Sequence, residues 1–243
     1  MDAAADFRLQ SLTRIAGWPE PAGSWDILVQ DEPTAALQMA RDEQLAQAGE
    51  PTLRLFRWAH PAISTGYRQR LPSWVEDAAL AARGIELVER PTGGGIAVHG
   101  TDLSCSVTVP RAPSVLLAAV MARICANVAR ACRACGAAVQ WQADLPKAGP
   151  IVYCLTQPSP YALTVGTRKL CGLAIRAYAT SWLVQGSLLV RPVSEAIRAA
   201  MPGDVGGAFA RQAISLEEAV GRPIEWQELI DRMVGAWEAG DAV

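Results

Sequence analysis

Three groups of residues in this sequence could carry chemistry. The first is the triplet Gly93-Gly94-Gly95, flanked by Arg90 and His99. Consecutive glycines let the backbone approach a ligand closely and offer N–H groups to an anion or a carbonyl oxygen. A plain hairpin turn uses the same residues; the flanking arginine and histidine favour a binding loop. The spacing fits neither a P-loop nor the G-x-G-x-x-G of a dinucleotide fold, which must open a helix. The second group is the cysteines. Cys132 and Cys135 have the spacing of half a zinc site, but no second pair exists and both fall on the apolar side of a helical pattern, so core packing is expected. Cys105, Cys125 and Cys171 also sit in periodic segments. Cys154 lies instead in the aperiodic stretch Tyr153-Cys-Leu-Thr-Gln-Pro-Ser-Pro160. A thiol on a loop beside a sheet can meet a ligand, or can be a half-buried loop cysteine. The third is Lys169, which strand alternation puts on one face with Cys171, Leu173 and Ile175. A lysine there either snorkels at a strand end or, partly buried, has a depressed pKa and trades protons near neutrality. The histidines, His60 and His99, are too few for a histidine-rich metal site.

These residues need elements to position them. Thr34 to Ala48 reads as a helix with Ala36, Met39, Ala40 and Leu45 near one face, and Trp74 to Arg83 as a second helix ended by Gly84. Leu53–Trp58, Ala62–Tyr67 and Ile85–Glu89 read as strands, and Trp25–Gln30 as an edge strand. Leu103, Cys105, Val107 and Val109 alternate with Ser104, Ser106 and Thr108, the pattern of a strand with one buried face. Ser114 to Cys135 carries apolar residues at three- and four-residue spacing and reads as the longest helix. Tyr161–Val165, Lys169–Ala177 and Ser181–Val190 complete the strands. Ser215-Leu-Glu-Glu218 is a capping box ahead of a stripe of Trp226, Leu229, Met233 and Trp237. The expected fold is α/β (α+β), a mixed sheet flanked by helices, in one domain over residues 1–243. Residues 1–24 are expected to form a loosely attached arm with one short helical turn, and residues 191–243 a helical tail.

Composition narrows the classes. Of 243 residues, 51% are hydrophobic and 19% charged, which suits one sizeable core, or at most two small ones, and excludes disorder. Lys+Arg 22 against Asp+Glu 24 gives a net charge of −2 with no basic block, so nucleic acid is not an expected partner. No apolar run reaches the roughly 18 residues that span a bilayer; Val115 to Val128 is interrupted by Arg123 and Asn127. The amino-terminal residues, with Asp2 and Asp6, do not read as a basic-then-apolar leader, and the scattered cysteines read as reduced thiols, so a cytoplasmic protein without membrane partners is expected.

In order along the chain, several segments resemble the lipoate–protein ligase / octanoyltransferase family, which is related to biotin protein ligases. Met39-Ala-Arg-Asp-Glu43 resembles its first-helix motif. Leu53-Arg-Leu-Phe-Arg-Trp58 through Gln69 is similar to L-R-x-Y-x-W-x-x-P-x-x-S-x-G-x-x-Q. Arg90-Pro-Thr-Gly-Gly-Gly-Ile-Ala-Val-His99 resembles the acyl-binding glycine loop, and Asp102-Leu-Ser-Cys-Ser-Val107 the strand after it. Gly166-Thr-Arg-Lys-Leu-Cys-Gly172 matches G-x-K-[IL]-x-G, and Gln185-Gly-Ser-Leu-Leu189 resembles H-G-[ST]-[IL]-L. Cys154-Leu-x-x-Pro-Ser-x-Tyr161 resembles the cysteine segment of the octanoyl-carrier-protein transferases, where ligases usually have an asparagine-aspartate stretch. The absence of an accessory domain after Gly240 is a further expectation that favours transfer. Three departures stand out: Gly172-Leu-Ala-Ile175 after the lysine, Gln185 in place of histidine, and a third glycine at Gly95 where the transferases often have arginine.

The resemblance implies an acyltransferase moving an octanoyl or lipoyl group from acyl carrier protein to a lysine of a lipoyl-domain protein, either the glycine cleavage H protein or a dehydrogenase E2. It implies Cys154 and Lys169 as catalytic residues. It implies Arg90, Thr92, Gly93, Gly94, Gly95, His99, Gly172 and Gly186 as substrate-binding residues, with no metal and no cofactor. Ile63, Val98 and Leu173 are expected to line the acyl slot. The rival readings are a ligase using ATP and magnesium, an amidotransferase between carrier proteins, and a non-catalytic binder of lipoyl domains.

Overall fold

A computed structural model describes residues 11–15, 25–143 and 151–239. Its first elements are β1 (Ser11–Ile15), β2 (Trp25–Val29), α1 (Ala35–Ala48), β3 (Thr52–Phe56), β4 (Ala62–Thr65), α2 (Asp77–Ala81), β5 (Glu86–Glu89) and β6 (Ala97–His99). Then come β7 (Asp102–Pro110), α3 (Leu117–Ala134), β8 (Val139–Trp141), β9 (Leu163–Val165), β10 (Arg168–Ala177) and β11 (Ser181–Leu189). The chain continues as α4 (Glu195–Ala200), α5 (Gly203–Gln212), α6 (Leu216–Val220) and α7 (Trp226–Glu238). The main sheet has the order β1-β2-β3-β7-β11-β10-β9-β8, with β2 and β3 parallel and the remaining pairs antiparallel. The architecture is the mixed sheet with flanking helices that the sequence predicts.

One face of this sheet is apolar. Leu53 and Leu55 of β3, Cys105 and Val107 of β7, Val184 and Leu188 of β11 and Cys171 of β10 join a single hydrophobic cluster. Helix α3 lays Val120, Met121, Ile124, Cys125, Val128 and Cys132 on it, the three- and four-residue spacing read from the sequence. Helix α7 adds Leu229, Ile230, Met233 and Trp237. Each fully buried aliphatic side chain contributes roughly 1.5–3 kcal/mol, so this layer holds the fold together. The Ser215 side chain caps α6 by accepting from the Glu218 N–H.

Several expectations are corrected. Ile85–Glu89 is not part of the main sheet: β5 pairs parallel with β4, and β4 antiparallel with β6, in a separate three-stranded sheet. The reason is a second hydrophobic cluster, in which Val75, Leu80, Ile85, Ile63 and Val98 bury one another away from α3. Strand β2 is not an edge, because Ser11–Ile15, within the stretch read as an arm, pairs antiparallel with it. The rest of that arm, residues 1–10 and 16–24, lies outside the described residues, as does the end of the tail at 240–243. Helix α2 is shorter than Trp74–Arg83. The strand expected from Tyr161 begins at Leu163, because Tyr161 adopts φ 59 in a turn.

The alternation in β7 is real, but both of its faces are buried: Ser104, Ser106 and Thr108 are as inaccessible as Cys105 and Val107. Helix α1 covers this second, polar face. It does so with Gln38, Met39, Asp42 and Ala46, while Ala36 and Ala40, expected on the inner face, are exposed. The helix is turned because Asp42 and Gln38 have a partner to reach. Arg54 of β3, completely buried, donates to Asp42 at 2.7 Å and to the Gln38 side chain.

Candidate active site

The glycine loop and the cysteine loop are built against each other. The Ile96 N–H donates to the Val152 carbonyl at 2.7 Å, and the Cys154 N–H donates to the Ile96 carbonyl at 2.8 Å. This close crossing requires Gly95, where a Cβ would lie 2.7 Å from the Val152 backbone. Arg90, 5% exposed, donates to the carbonyls of Gly93 and Gly95, both at 2.7 Å, and to Ser64. Arg90 therefore fixes the shape of the loop from behind. Its guanidinium pKa is pulled down by burial, which the neighbouring Cys154 partly opposes. With the carbonyls of Gly93 and Gly95 taken up by Arg90, the N–H groups of the triplet donate to no other described residue. Gly94, at φ 94, passes over Ala174 of β10 and holds the loop above that strand.

Strand β10 brings the lysine to the cysteine. Plain alternation would put Lys169 on the apolar face with Cys171, Leu173 and Ile175. Instead the register shifts between Lys169 and Cys171, so that the extra residue Leu170 intervenes opposite β9. A bulge of this kind moves the side chains before it to the other face. Lys169 consequently shares a face with Gly172. A Cβ on Gly172 would sit 2.3 Å from Cys154 Sγ and 3.7 Å from Lys169 Cε. The bare glycine is the gap in which thiol and lysine meet. Lys169 Nζ donates to the Gln157 carbonyl at 3.0 Å and to Ser159 Oγ at 2.7 Å. Burial lowers its pKa; the Cys154 and Cys171 thiols offset part of that shift. An ammonium has three donors. Two go to Gln157 and Ser159 among the described residues, and Cε lies on the same side of Gly172 as the thiol.

The remaining thiols differ in kind. Cys154 is half-buried, whereas Cys105, Cys125, Cys132, Cys135 and Cys171 are buried. Burial pushes Cys105 and Cys125 up to about 12, and raises Cys132, Cys135 and Cys171 as well. Among the described residues, no three His, Cys, Asp or Glu side chains gather as a metal-binding group.

Beside the cysteine runs a narrow slot of about 30 Å³, lined by Met39, Phe56, Trp58, Ala97, Ala174 and Cys154, with polar groups from His99 and Ser187. Ile63 and Val98 do not line it. Strand alternation turns Ser64, Ala97 and His99 to the slot and sends Ile63 and Val98 into the second cluster. Leu173 likewise packs on the main apolar face. His99 lies stacked on Trp58 at 3.9 Å between centroids, with Nε2 2.8 Å from Ser64 Oγ and Nδ1 2.8 Å from Asp102. Burial alone would raise the Asp102 carboxyl, but His99, Ser187 and Ser104 together outweigh it and hold it below its ordinary value.

Thr92 is fully buried and does not line the slot. Its hydroxyl donates to Gln185 Oε1 at 2.6 Å, and Gln185 Nε2 donates to Asp42 at 2.6 Å. Thr92 and Gln185 thus tie the glycine loop to the buried Asp42–Arg54 pair. Gly186 contributes backbone to the slot wall, and its missing Cβ would strike Leu173 and Cys105. Sequence reasoning did not single out Asp42, Arg54, Ser64, Asp102 or Ser159. All five lie inside the segments that resemble the family's motifs, and a polar or charged residue at a motif position was the available signal.

Comparison with known proteins places this geometry. Residues 34–238 match the model described as the lipoyl protein ligase A/B catalytic domain. A protein of Moorella thermoacetica named octanoyltransferase LipM is 30% identical over 89% of this chain and 86% of its own length. Another of that name from Kyrpidia tusciae is 32% identical over 83% and 81%. A bipartite lipoate protein ligase of Thermoplasma acidophilum, described with its E2 lipoyl domain, shares the fold. It has a TM-score of 0.71 and 17% identity, covering 93% of this chain and 83% of that one. From the glycine loop to the lysine strand, this chain belongs to the lipoyl protein ligase A/B catalytic-domain family.

Proposed function

We propose that the protein transfers an octanoyl group from acyl carrier protein to a lysine of a lipoyl domain, through a thioester on Cys154, without a metal or cofactor. The observation that carries this reading is the meeting of Cys154 Sγ and Lys169 Cε over the bare Gly172. The relatives named octanoyltransferase LipM support the choice of acyl group. The lipoyl domain studied with the archaeal ligase supports the class of acceptor, of which the glycine cleavage H protein and dehydrogenase E2 are the candidates.

Lys169 does the proton work. Burial shifts its pKa downward, in the direction that favours the neutral amine, and as the sulfur attacks the donor thioester carbonyl it takes the Cys154 proton. The tetrahedral intermediate collapses with cleavage of the bond to the donor sulfur. Lys169 returns the proton to that thiolate, leaving octanoyl-Cys154 and a free donor thiol. In the second half, the acceptor amine attacks the octanoyl-Cys154 carbonyl and gives its proton to Lys169. Cys154 leaves as thiolate and recovers that proton as the amide forms. The N–H groups of Gly93, Gly94 and Gly95, which donate to no described residue, are available to the oxygen on which charge develops. The slot takes the alkyl chain. At about 30 Å³ it has room for only about two waters. The chain must therefore displace side chains, and Met39 is the flexible wall that can yield.

The test is intact mass after mixing with octanoyl-carrier protein. One octanoyl addition, mapped to the peptide that holds Cys154, is the expected result. Label on another cysteine overturns the choice of nucleophile. Modification of a lipoyl domain from free acid and ATP by the Cys154→Ala variant replaces transfer with ligation.

A further inference from the structure

A second cavity, of about 570 Å³, reaches Lys169 apart from the acyl slot. The two cavities share no lining residue, but Cys154 lines the slot while Leu155, Thr156 and Lys169 line the second cavity, so both converge on the catalytic pair. The walls of the second cavity carry a consistent chemistry. Gln140, Gln142, Thr164, Thr167 and Gln212 present neutral amides and hydroxyls, and these side chains hydrogen-bond to no other described residue. Among the described residues no carboxylate lines the cavity, and apart from Lys169 the cation on its wall is Arg211. Arg211 is exposed on the last turn of α5 and forms no ion pair with a described residue.

We infer that this cavity holds the phosphopantetheine arm of the acyl donor, with Arg211 on its phosphate. The assignment rests on the transfer reading above. A thioester at Cys154 has two ends. The alkyl chain occupies the apolar slot, and the leaving sulfur must depart past Lys169, which reprotonates it. The cavity lies on that side. Its walls suit the group attached to that sulfur. Phosphopantetheine is an uncharged chain of two amides and a hydroxyl, which needs neutral donors and acceptors along its length, and it ends in a phosphate, which needs a cation and no nearby carboxylate. The alkyl chain itself would gain nothing from such walls. Carrier protein and coenzyme A both present this arm.

The experiment measures acylation of Cys154 in the full chain by octanoyl-N-acetylcysteamine, octanoyl-pantetheine and octanoyl-phosphopantetheine, in the unmodified protein and in the Arg211→Glu and Thr167→Trp variants. Loss of the phosphate contact should raise the KM of the phosphorylated donor in Arg211→Glu roughly tenfold, the size of one charge-assisted hydrogen bond. The KM of octanoyl-N-acetylcysteamine should not change. Thr167→Trp should raise KM for both pantetheine donors and spare the short thioester. Octanoyl-carrier protein and octanoyl-coenzyme A should both show the Arg211→Glu effect, and the lower KM in the unmodified protein identifies the source of the arm. If the short thioester acylates Cys154 but the variants affect all donors alike, or none, the cavity assignment falls while the transfer reading stands. If the variants slow only delivery to the lipoyl-domain lysine, the cavity is the acceptor's port and the inference is overturned. If no thioester acylates Cys154, the transfer reading itself fails.

Discussion

The two faces of the main sheet are both buried, and burial does opposite work on them. On the apolar face, Cys105, Cys125 and Cys171 lose water without gaining a cation, and their thiols are driven up, Cys105 and Cys125 to about 12. On the polar face, Lys169 loses water and its pKa falls. Desolvation disfavours whichever form is charged, so it silences a thiol and readies an amine. The apolar face is held by area, which most aliphatic side chains could supply. The polar face is held by specific pairs: Arg54 with Asp42, Asp42 with Gln185, Gln185 with Thr92, and His99 with Asp102. Removing one member of such a chain leaves another buried and unsatisfied. The polar face can therefore fix a loop in one position.

The contrast breaks most sharply at the cysteines. Cys154→Ala should abolish both the acyl-enzyme, read by intact mass, and transfer to a lipoyl domain, whereas Cys171→Ala should keep both. Loss of acylation in Cys171→Ala alone would reverse the assignment of the two faces. Next in size, Lys169→Arg should lower transfer about 10²–10⁴-fold, the usual contribution of a positioned acid–base group. Arginine keeps the charge but cannot accept a proton. Near-normal turnover would mean that Lys169 supplies charge only.

Gly172→Ala should cost transfer about 10²-fold by pushing Cys154 aside, since a displacement of about 1 Å at a reacting group has effects of that order. The circular dichroism spectrum of this variant should be unchanged, and unaltered acylation kinetics would place the meeting of thiol and lysine elsewhere. A smaller effect is expected in stability against pH. The unfolded chain binds the Lys169 proton with its ordinary pKa of 10.5, and the folded chain binds it less tightly. Between the lowered folded value and 10.5 the unfolded state holds more protons, so stability relative to Lys169→Met should rise with pH through that window and be flat below it. Urea unfolding of the two proteins across alkaline pH measures the difference; a falling difference has the wrong sign for a desolvated lysine. The smallest expected effect is that of a chelator. Transfer by EDTA-treated protein should match that of untreated protein, and loss of activity restored by a divalent metal would demand a metal step.

Much of this was legible in the residues themselves. Cys154 stands out because its stretch has no period, while the other cysteines fall on helical or strand spacing. The glycine triplet between Arg90 and His99 marks a place where backbone must come close to something, and the spacing of Val120, Ile124, Val128 and Cys132 fixes the face of α3. Apart from Lys147, every other cation in the chain is arginine, which leaves few side chains able to exchange a proton at Lys169's position. These are local properties, set by residue type and by the periods of helix and strand.

What only the tertiary structure decided is which face each group serves. The bulge at Leu170 moves Lys169 across β10, and no period within the strand announces it, because a bulge is defined by pairing with β9. The serines of β7 alternate as though for solvent; α1 covers them because Asp42 and Gln38 find Arg54 on β3. Thr92 turns inward to Gln185 for the same reason, and β5 joins β4 instead of the main sheet because Ile85 and Leu80 have a second core to fill. In each case the sequence sets the period of an element, and a partner distant in the chain sets its orientation, since a polar or apolar side chain is stable only against the group it meets.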